Sequence, residues 1–412
     1  MSNLKLVYLK DIAETQTGPF GTQLHEKDYV TEGTPIVTVE HLGEISFNTQ
    51  NLPLVSDADK ERLIKYTLKQ GDIVFSRVGS VDRCTYVSEK EDGWMFSGRC
   101  LRVRFNEKAS AKYISFYFRQ KFFKEMMLNI SVGATMPSLN TSLMDNIPLY
   151  LPSKQIQNKV ASVLSSLDSK IELNNRINAE LESMAKTIYD YWFVQFDFPN
   201  ENGKPYKASG GKMEWNQVLR KEIPKGWNAS SIIDVTNWIG GAQPAKSTFK
   251  YEDTPGYVRF IQNRDFAGDD HLTYIPSSKG NKLCSPFDIL IDKYGDAGRT
   301  RFGLSGAYNV ALSKIEVLIP YATEYIRKFL ENEATYTYLH NACMASTRAS
   351  LNESIMENLN LPIPDVKTLE LFENITKPIL TLNLNNKVEN KHLTYLRNWL
   401  LPMLMNGQLK VD

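Results

Sequence analysis

"GATMPSLNTSLMDNIPLYLPS", residues 133–153, returns late in the chain as "ASTRASLNESIMENLNLPIPD", residues 345–365. Ser138, Leu139, Asn140, Ser142, Met144, Asn146 and Pro152 recur as Ser350, Leu351, Asn352, Ser354, Met356, Asn358 and Pro364, each at an offset of 212 residues (350 minus 138). Tyr113-Ile114 returns at the same offset as Tyr325-Ile326, and "GDIVFSRVG" (71–79) has a looser counterpart in "FDILIDKYG" (287–295). The offset exceeds half of the 412-residue chain, which excludes a solenoid of short repeats. One large unit is used twice.

Working outward, each copy opens with short β-type runs divided by turn residues. They are "TPIVTVEHL", "GDIVFSRVG", "RCTYVS" and "GRCLRVRF" in the first half, and "GYVRFIQ", "FDILIDKYG" and "SKIEVLIP" in the second. Both then pass into a helix-like piece, "AKYISFYFRQKFFKEMML" and "TEYIRKFLENEATYTYLHNA". The reading is α+β, with two globular domains and an internal pseudo-two-fold repeat. The boundaries are 1–152 for the first domain, 153–195 for a helix, 196–227 for a connector, 228–364 for the second domain and 365–412 for a C-terminal helix. The connector, rich in Gly, Pro, Asn and Lys, reads as an exposed return of the chain.

After each echo a long helical pattern begins. Steps of three and four from Val160 pick out Val160, Val163, Leu167, Asn174, Leu181 and Ile188, and adding 212 reaches Ile375, Ile379, Asn386, Leu393 and Leu400. That is an apolar seam of coiled-coil period in both copies, interrupted at one matched position by Asn174 and Asn386. If the helices lie antiparallel, their midpoints meet and the two asparagines approach. A helix from 155 to 192 is about 55 Å long at ~1.5 Å per residue. DNA-reading modules one helical turn apart need about 34–36 Å, so the rod is of the right order for a spacer.

Composition bounds the function. The net charge of +1 gives no general basic excess for nucleic acid, so a DNA surface must be a local concentration of Lys and Arg or be shared with a partner. Four cysteines without a CxxC support neither zinc nor a disulfide framework. The absence of a signal peptide and of a spanning apolar run leads to the expectation of a cytoplasmic protein with no membrane partner. Catalytic motifs fail on inspection. "GGAQPAKST" (240–248) lacks the second Gly that lets backbone N–H groups wrap a phosphate. In "PFDILIDK" (286–293), Asp292 and Lys293 are adjacent and would face opposite sides of a strand, unlike a nuclease core. No NPPY-type tetrapeptide of amino-methyltransferases is present, and the five histidines stand alone.

The order of these features, repeated twice, resembles the specificity subunit of type I restriction–modification enzymes from about Leu6 to Leu409. It rests on "GDIVFSRVGSVDR", on "GATMPSLN" leading to "IPLYLPSKQIQNKVASVLSSLDSKIELNNRINAELESMAKTIYDYWF", on "GKPYKASGGKMEWN…EIPKGW", and on "LRNWLLPMLMNGQL". The second echo departs from it, with Ala345 and Ala349 in place of the Gly and Pro. The resemblance implies two target-recognition domains, each reading one half of a split, asymmetric site in double-stranded DNA. Its helices would pack as an antiparallel coiled coil, setting the spacer and docking two modification (methyltransferase) subunits, with two restriction subunits joining. It implies no catalysis and no cofactor for this chain. A methyltransferase or nuclease with its own recognition domains, and a coiled-coil adaptor without DNA contact, are the alternatives.

Base edges are read by Arg, Lys, Asn and Gln. In the first domain the candidates are Arg77, Arg83 and Arg99, with Arg102 and Arg104 on the same ribbon, and Gln23 from the Gly-rich "TGPFGTQ". In the second they are Lys293, Arg299 and Arg301, beside Tyr294 and Gly295, with Gln243 and Lys246 from "GGAQPAKS". The bland reading of each is a solvated surface charge. For Ser138–Asn140 and Ser350–Asn352 a structural role, as caps and turns, is the preferred reading.

Overall fold

The computed structural model describes residues 4–19, 23–133, 135–344, 350–409 and 411. Ala345 and Ala349, where the second echo departs from the first, lie outside these, as do Phe20, Gly21 and Thr22 of the first Gly-rich loop. The chain divides into two compact units, Met1–Leu173 with Glu389–Asp412, and Asn174–Val388.

In the first unit Lys5–Tyr8 pairs antiparallel with Pro148–Leu151, so the end of the echo closes on the start of the chain. A four-stranded sheet runs in the order Ala13–Thr17, Cys100–Phe105, Ile73–Ser76, Cys84–Tyr86. Its inner strand Ile73–Ser76 is buried throughout, which explains an apolar run rather than an alternating one. Ile73 and Phe75 join one core with the helices Ala111–Phe118 and Lys121–Ile130, while Val74 joins a second core on the opposite face. That second core lies under a smaller sheet, in which Thr34–Val37 and Met95–Phe96 run parallel.

The second unit repeats the wiring. Asn228–Ser231 pairs with Asn360–Ile363, and the main sheet runs Thr236–Gly240, Leu312–Val317, Ile289–Asp292, Thr300–Arg301. Ile289 and Ile291 again face one core and Leu290 another. The pieces read as single helices are pairs. The first breaks where Gln120 takes extended geometry (φ −69°, ψ 143°), and the second at Asn332, whose side chain accepts from Ala334 N at 3.0 Å. The connector also departs from the exposed return expected of it. It forms the hairpin Met213–Asn216/Lys221–Pro224, and Phe198 stacks on Trp227 (5.0 Å) and Tyr206 (4.7 Å). Abundant Gly and Lys in that stretch mask the spaced aromatics that give it a core.

The echo is a repeated structural device. Asn140 caps the short helix Thr141–Asp145 by accepting from Leu143 N (2.8 Å), and Asn352 caps Glu353–Glu357 by accepting from Ile355 N (3.1 Å). At the other end Asn146 donates to Ser142 O and Asn358 to Ser354 O. Leu139 and Met144, like Leu351 and Met356, are buried. Asn140→Ala and Asn352→Ala are each expected to cost about 1 kcal/mol, read as a lowered midpoint in urea denaturation.

Two long helices, Lys154–Tyr189 and Val366–Met405, follow the echoes, and the first ends in a π-helical turn, Asp190–Val194. Asp365 starts the second by accepting from Thr368 N at 2.9 Å. Their buried lines differ from the seam read in the sequence. Val160, Asn174 and Asn386 are buried, but Val163, Leu167, Leu181, Ile188, Ile379, Leu393 and Leu400 are half-buried, and Ile375 is 42% exposed. Over most of both helices the buried line lies one residue further on, through Leu164, Asp168, Ile171, Asn178, Ala185 and Tyr189, and through Thr376, Leu380, Asn383, Arg397 and Leu404. Polar residues hold much of that line because they find partners there. A search for apolar residues at heptad spacing therefore settles one position away. Asn386 likewise donates to Asn178 Oδ1 (2.9 Å), one turn along from the Asn174 expected to meet it.

Candidate nucleic-acid interface

Three of the first domain's candidates meet at one end of its main sheet. Arg77 leaves the inner strand, Arg83 leads into the strand beside it and Arg99 into the strand on its other side. Backbone bonds tie them together: Ser76 N donates to Arg83 O (3.0 Å), Arg77 N to Arg99 O (2.8 Å) and Arg83 N to Ser80 O (3.0 Å). Arg83 and Arg99 are exposed, whereas Arg77 is half-buried and donates through Nη1 to Gly98 O at 3.3 Å. The echo pins the turn from below, with Leu139 N donating to Arg77 O (2.9 Å) and Gly79 N to Pro137 O (2.9 Å).

The second sheet end repeats four of these backbone bonds among the described residues. Asp292 N donates to Arg299 O (2.9 Å), Lys293 N to Ala311 O (2.8 Å), Arg299 N to Asp296 O (3.0 Å) and Leu351 N to Lys293 O (2.9 Å). The matched positions are Arg77 with Lys293, Arg83 with Arg299 and Arg99 with Ala311. Over this turn the offset is 216 (293 minus 77), and it returns to 212 by Cys100 and Leu312. Gly79 and Gly295 both take positive φ (82° and 77°), the left-handed turn that favours glycine.

The Gly-rich loops also correspond. Gly18 N donates to Cys100 O and Gly241 N to Leu312 O. A Cβ would lie 2.1 Å from Ser97 O at Gly18 and 1.9 Å from Asn309 O at Gly241, so no larger residue fits either place. Gln243 and Lys246 are exposed on the second loop. Gln23 is turned inward, its Oε1 accepting from Tyr66 OH at 2.8 Å.

Other candidates serve the fold. Arg102 is buried and donates to Lys65 O, and Arg104 grips both oxygens of Asp72 (2.7 and 2.6 Å). Arg301 donates twice to Asp292 Oδ2 (3.2 and 2.9 Å). Burial pushes the Asp292 carboxyl upward and Arg301 opposes that shift. Arg299 is 49% exposed but bonded to Asp296 Oδ2 at 3.0 Å, with its guanidinium 4.6 Å from the Tyr336 ring. Asp296 also accepts from Tyr336 OH. Burial works against the Asp296 carboxylate, yet the bonds from Tyr336 and Arg299 outweigh it and hold it below the usual range. The sequence carries a sign of this pair, an Asp three residues ahead of an Arg, that a search for cations alone passes over.

Burial pushes the thiols of Cys84 and Cys100 up to about 12 and that of Cys284 to about 11, and raises Cys343. Thiolate is the reactive form, so iodoacetamide at pH 8 is expected to label the native chain at a small fraction of the rate seen in urea. Counting labelled thiols by mass before and after denaturation checks it. Among the described residues no three His, Cys, Asp or Glu side chains converge as a metal site, and no helix is long and apolar enough to cross a membrane.

The repeated strand order and the matched turns define a protein built from two copies of one domain. Residues 1–183 and 224–390 match the family described as the type I restriction modification DNA specificity domain. The chain belongs to that family, and it is the non-catalytic specificity subunit of a type I restriction–modification system. It is 26% identical over 319 residues to the type I restriction enzyme MjaIX specificity subunit of Methanocaldococcus jannaschii, covering 73% of this chain and 70% of that one. It is 23% identical over 407 residues to the HindI specificity subunit of Haemophilus influenzae, covering 84% and 88%. The fold is similar to the crystal structure of a type I restriction–modification S subunit from M. genitalium, with a TM-score of 0.66 at 14% identity, over 98% of this chain and 96% of that one.

Proposed function

We propose that residues 1–152 and 228–364 each read one half of a bipartite, asymmetric DNA sequence, with the two long helices as spacer. The observation that carries this is the pair of sheet ends. Four backbone bonds recur in both among the described residues, while the side chains they present differ, as two unlike half-sites require. Arg77, Arg83, Arg99, Lys293, Arg299, Gln243 and Lys246 supply the reading and phosphate contacts. The helices pack as an antiparallel coiled coil. Supporting this, in the first unit Asp168 pairs with Arg397 and Lys170 with Glu389. In the second, Asn178 meets Asn386, and Glu182 meets Asn383 and Lys387. Two methyltransferase subunits dock on the rod, and two restriction subunits complete the nuclease. The chain itself needs no cofactor.

Methylome sequencing of a host carrying this chain and a modification subunit of the family tests the reading. A new split adenine-methylation motif is the expected result; no new methylation from a co-purifying complex would refute it. Arg77→Ala in that complex is expected to weaken binding by about 1–3 kcal/mol, the worth of a bidentate base contact. Unchanged affinity and sequence preference in a titration would remove Arg77 from the reading surface.

A further inference from the structure

The two sheet ends are matched in backbone but not in charge. Arg99 is exposed, and its counterpart Ala311 carries no charge. Ser80 is neutral, and its counterpart Asp296 lies 3.0 Å from Arg299 and 3.7 Å from Arg301. Ser76 donates its hydroxyl to Val78 O, and its counterpart is the buried carboxyl of Asp292. Asp82, matched by Gly298, and Arg301, matched by Thr85, run the other way. Arg77, Arg83 and Arg99 against Asp82 leave two net positive charges at the first sheet end. Lys293, Arg299 and Arg301 against Asp292 and Asp296 leave one at the second, among the described residues.

We infer that the sequence-independent grip on the DNA phosphates is concentrated on the first domain, and that Asp296 is the residue that mutes it on the second. This rests on the DNA-reading function proposed above. Phosphate contacts release counterions, so each adds about 0.9 to the slope of log K against log salt on duplex DNA. Arg83 and Arg99, exposed and with no carboxylate partner among the described residues, deliver that term. Arg299 brings Asp296 with it, and the pair approaches a phosphate with almost no net charge.

The test is a salt titration of the assembled complex with a modification subunit, using a labelled duplex of random sequence. Arg83→Ala and Arg99→Ala are each expected to flatten the slope by about 0.9, and Arg299→Ala combined with Asp296→Ser, which removes the whole pair, to leave it unchanged. Asp296→Ser, which copies Ser80, is expected to steepen it by about the same 0.9, and Ser80→Asp to flatten it. Asp296→Asn, which keeps an acceptor for Tyr336, replaces Asp296→Ser if the latter melts early. Flattening by the combined Arg299→Ala and Asp296→Ser change equal to that of Arg83→Ala, or an unchanged slope in both Asp296 variants, overturns the inference and leaves DNA recognition standing. A folded complex that binds no duplex at all overturns both.

Discussion

Replacing Asp168 by leucine is expected to cost about 3–5 kcal/mol, the penalty for removing one partner of a buried charge network. Asp168 lies on the first long helix and accepts from Arg119 Nη1 (2.7 Å) and Arg397 Nη1 (3.1 Å). The side chains of Arg119 and Asp168 are each 7% exposed and that of Arg397 is 11% exposed. One carboxylate therefore compensates two guanidinium groups, and without it both are stranded. Changing all three together, Arg119→Met, Asp168→Leu and Arg397→Met, is expected to restore most of the loss, because no buried charge is then left unpaired. Urea denaturation of the single and triple variants measures both. A loss below about 1 kcal/mol for the single change would mean that the network is solvated like a surface pair. The effect should depend on pH. Burial, and next the charge on Arg119, hold the Lys112 ammonium below the usual lysine value, while Asp168 opposes them. Removing Asp168 depresses Lys112 further. A cation whose folded pKa is depressed destabilises fully below that pKa, and the penalty fades as pH rises towards the unfolded value. The Asp168→Leu defect should therefore shrink in alkaline buffer.

This network also shows which parts of the architecture the sequence makes legible. The duplication is visible because the echo performs one steric task twice: Asn caps, Leu and Met plug, and the next strand closes the domain. Such a task tolerates few side chains, so the letters persist. The inner strands are legible for a related reason, since burial on both faces demands an unbroken apolar run. The buried line of the long helices is not, because Asp168, Asn178, Asn383 and Arg397 occupy it. A polar residue at a core position is acceptable only with a partner, and the partners lie about 200 residues away in sequence. The proposed reading surface falls between these extremes. Arg77 and Lys293 stand out at Gly-bearing turns, but nothing near Arg104 or Arg301 announces that Asp72 and Asp292 hold them. A cation's availability depends on what faces it across a sheet, and that is a property of the fold.

Phe372→Ala is expected to cost about 3–5 kcal/mol, the range for deleting a buried aromatic side chain. Phe372 is fully buried near the start of the second long helix. Its ring centroid lies 4.8 Å from that of Phe193, 5.7 Å from Trp192 and 6.3 Å from Tyr189. Phe193 in turn lies 4.6 Å from Tyr325, whose hydroxyl donates to Pro362 O. This cluster joins the π-helical end of the first long helix, the start of the second and the domain between them in sequence. Aromatic neighbours cannot collapse into the vacated volume without breaking their edge-to-face contacts, which places the cost in the upper part of the range. The defect should differ in kind from that of a reading residue. Phe372→Ala lowers the denaturation midpoint and the yield of methylated sites while the methylated sequence stays the same. Lys293→Ala leaves the midpoint unchanged and alters the second half of the sequence. If Phe372→Ala changed the methylated sequence at unaltered stability, the aromatic cluster would belong to the reading surface rather than to its support.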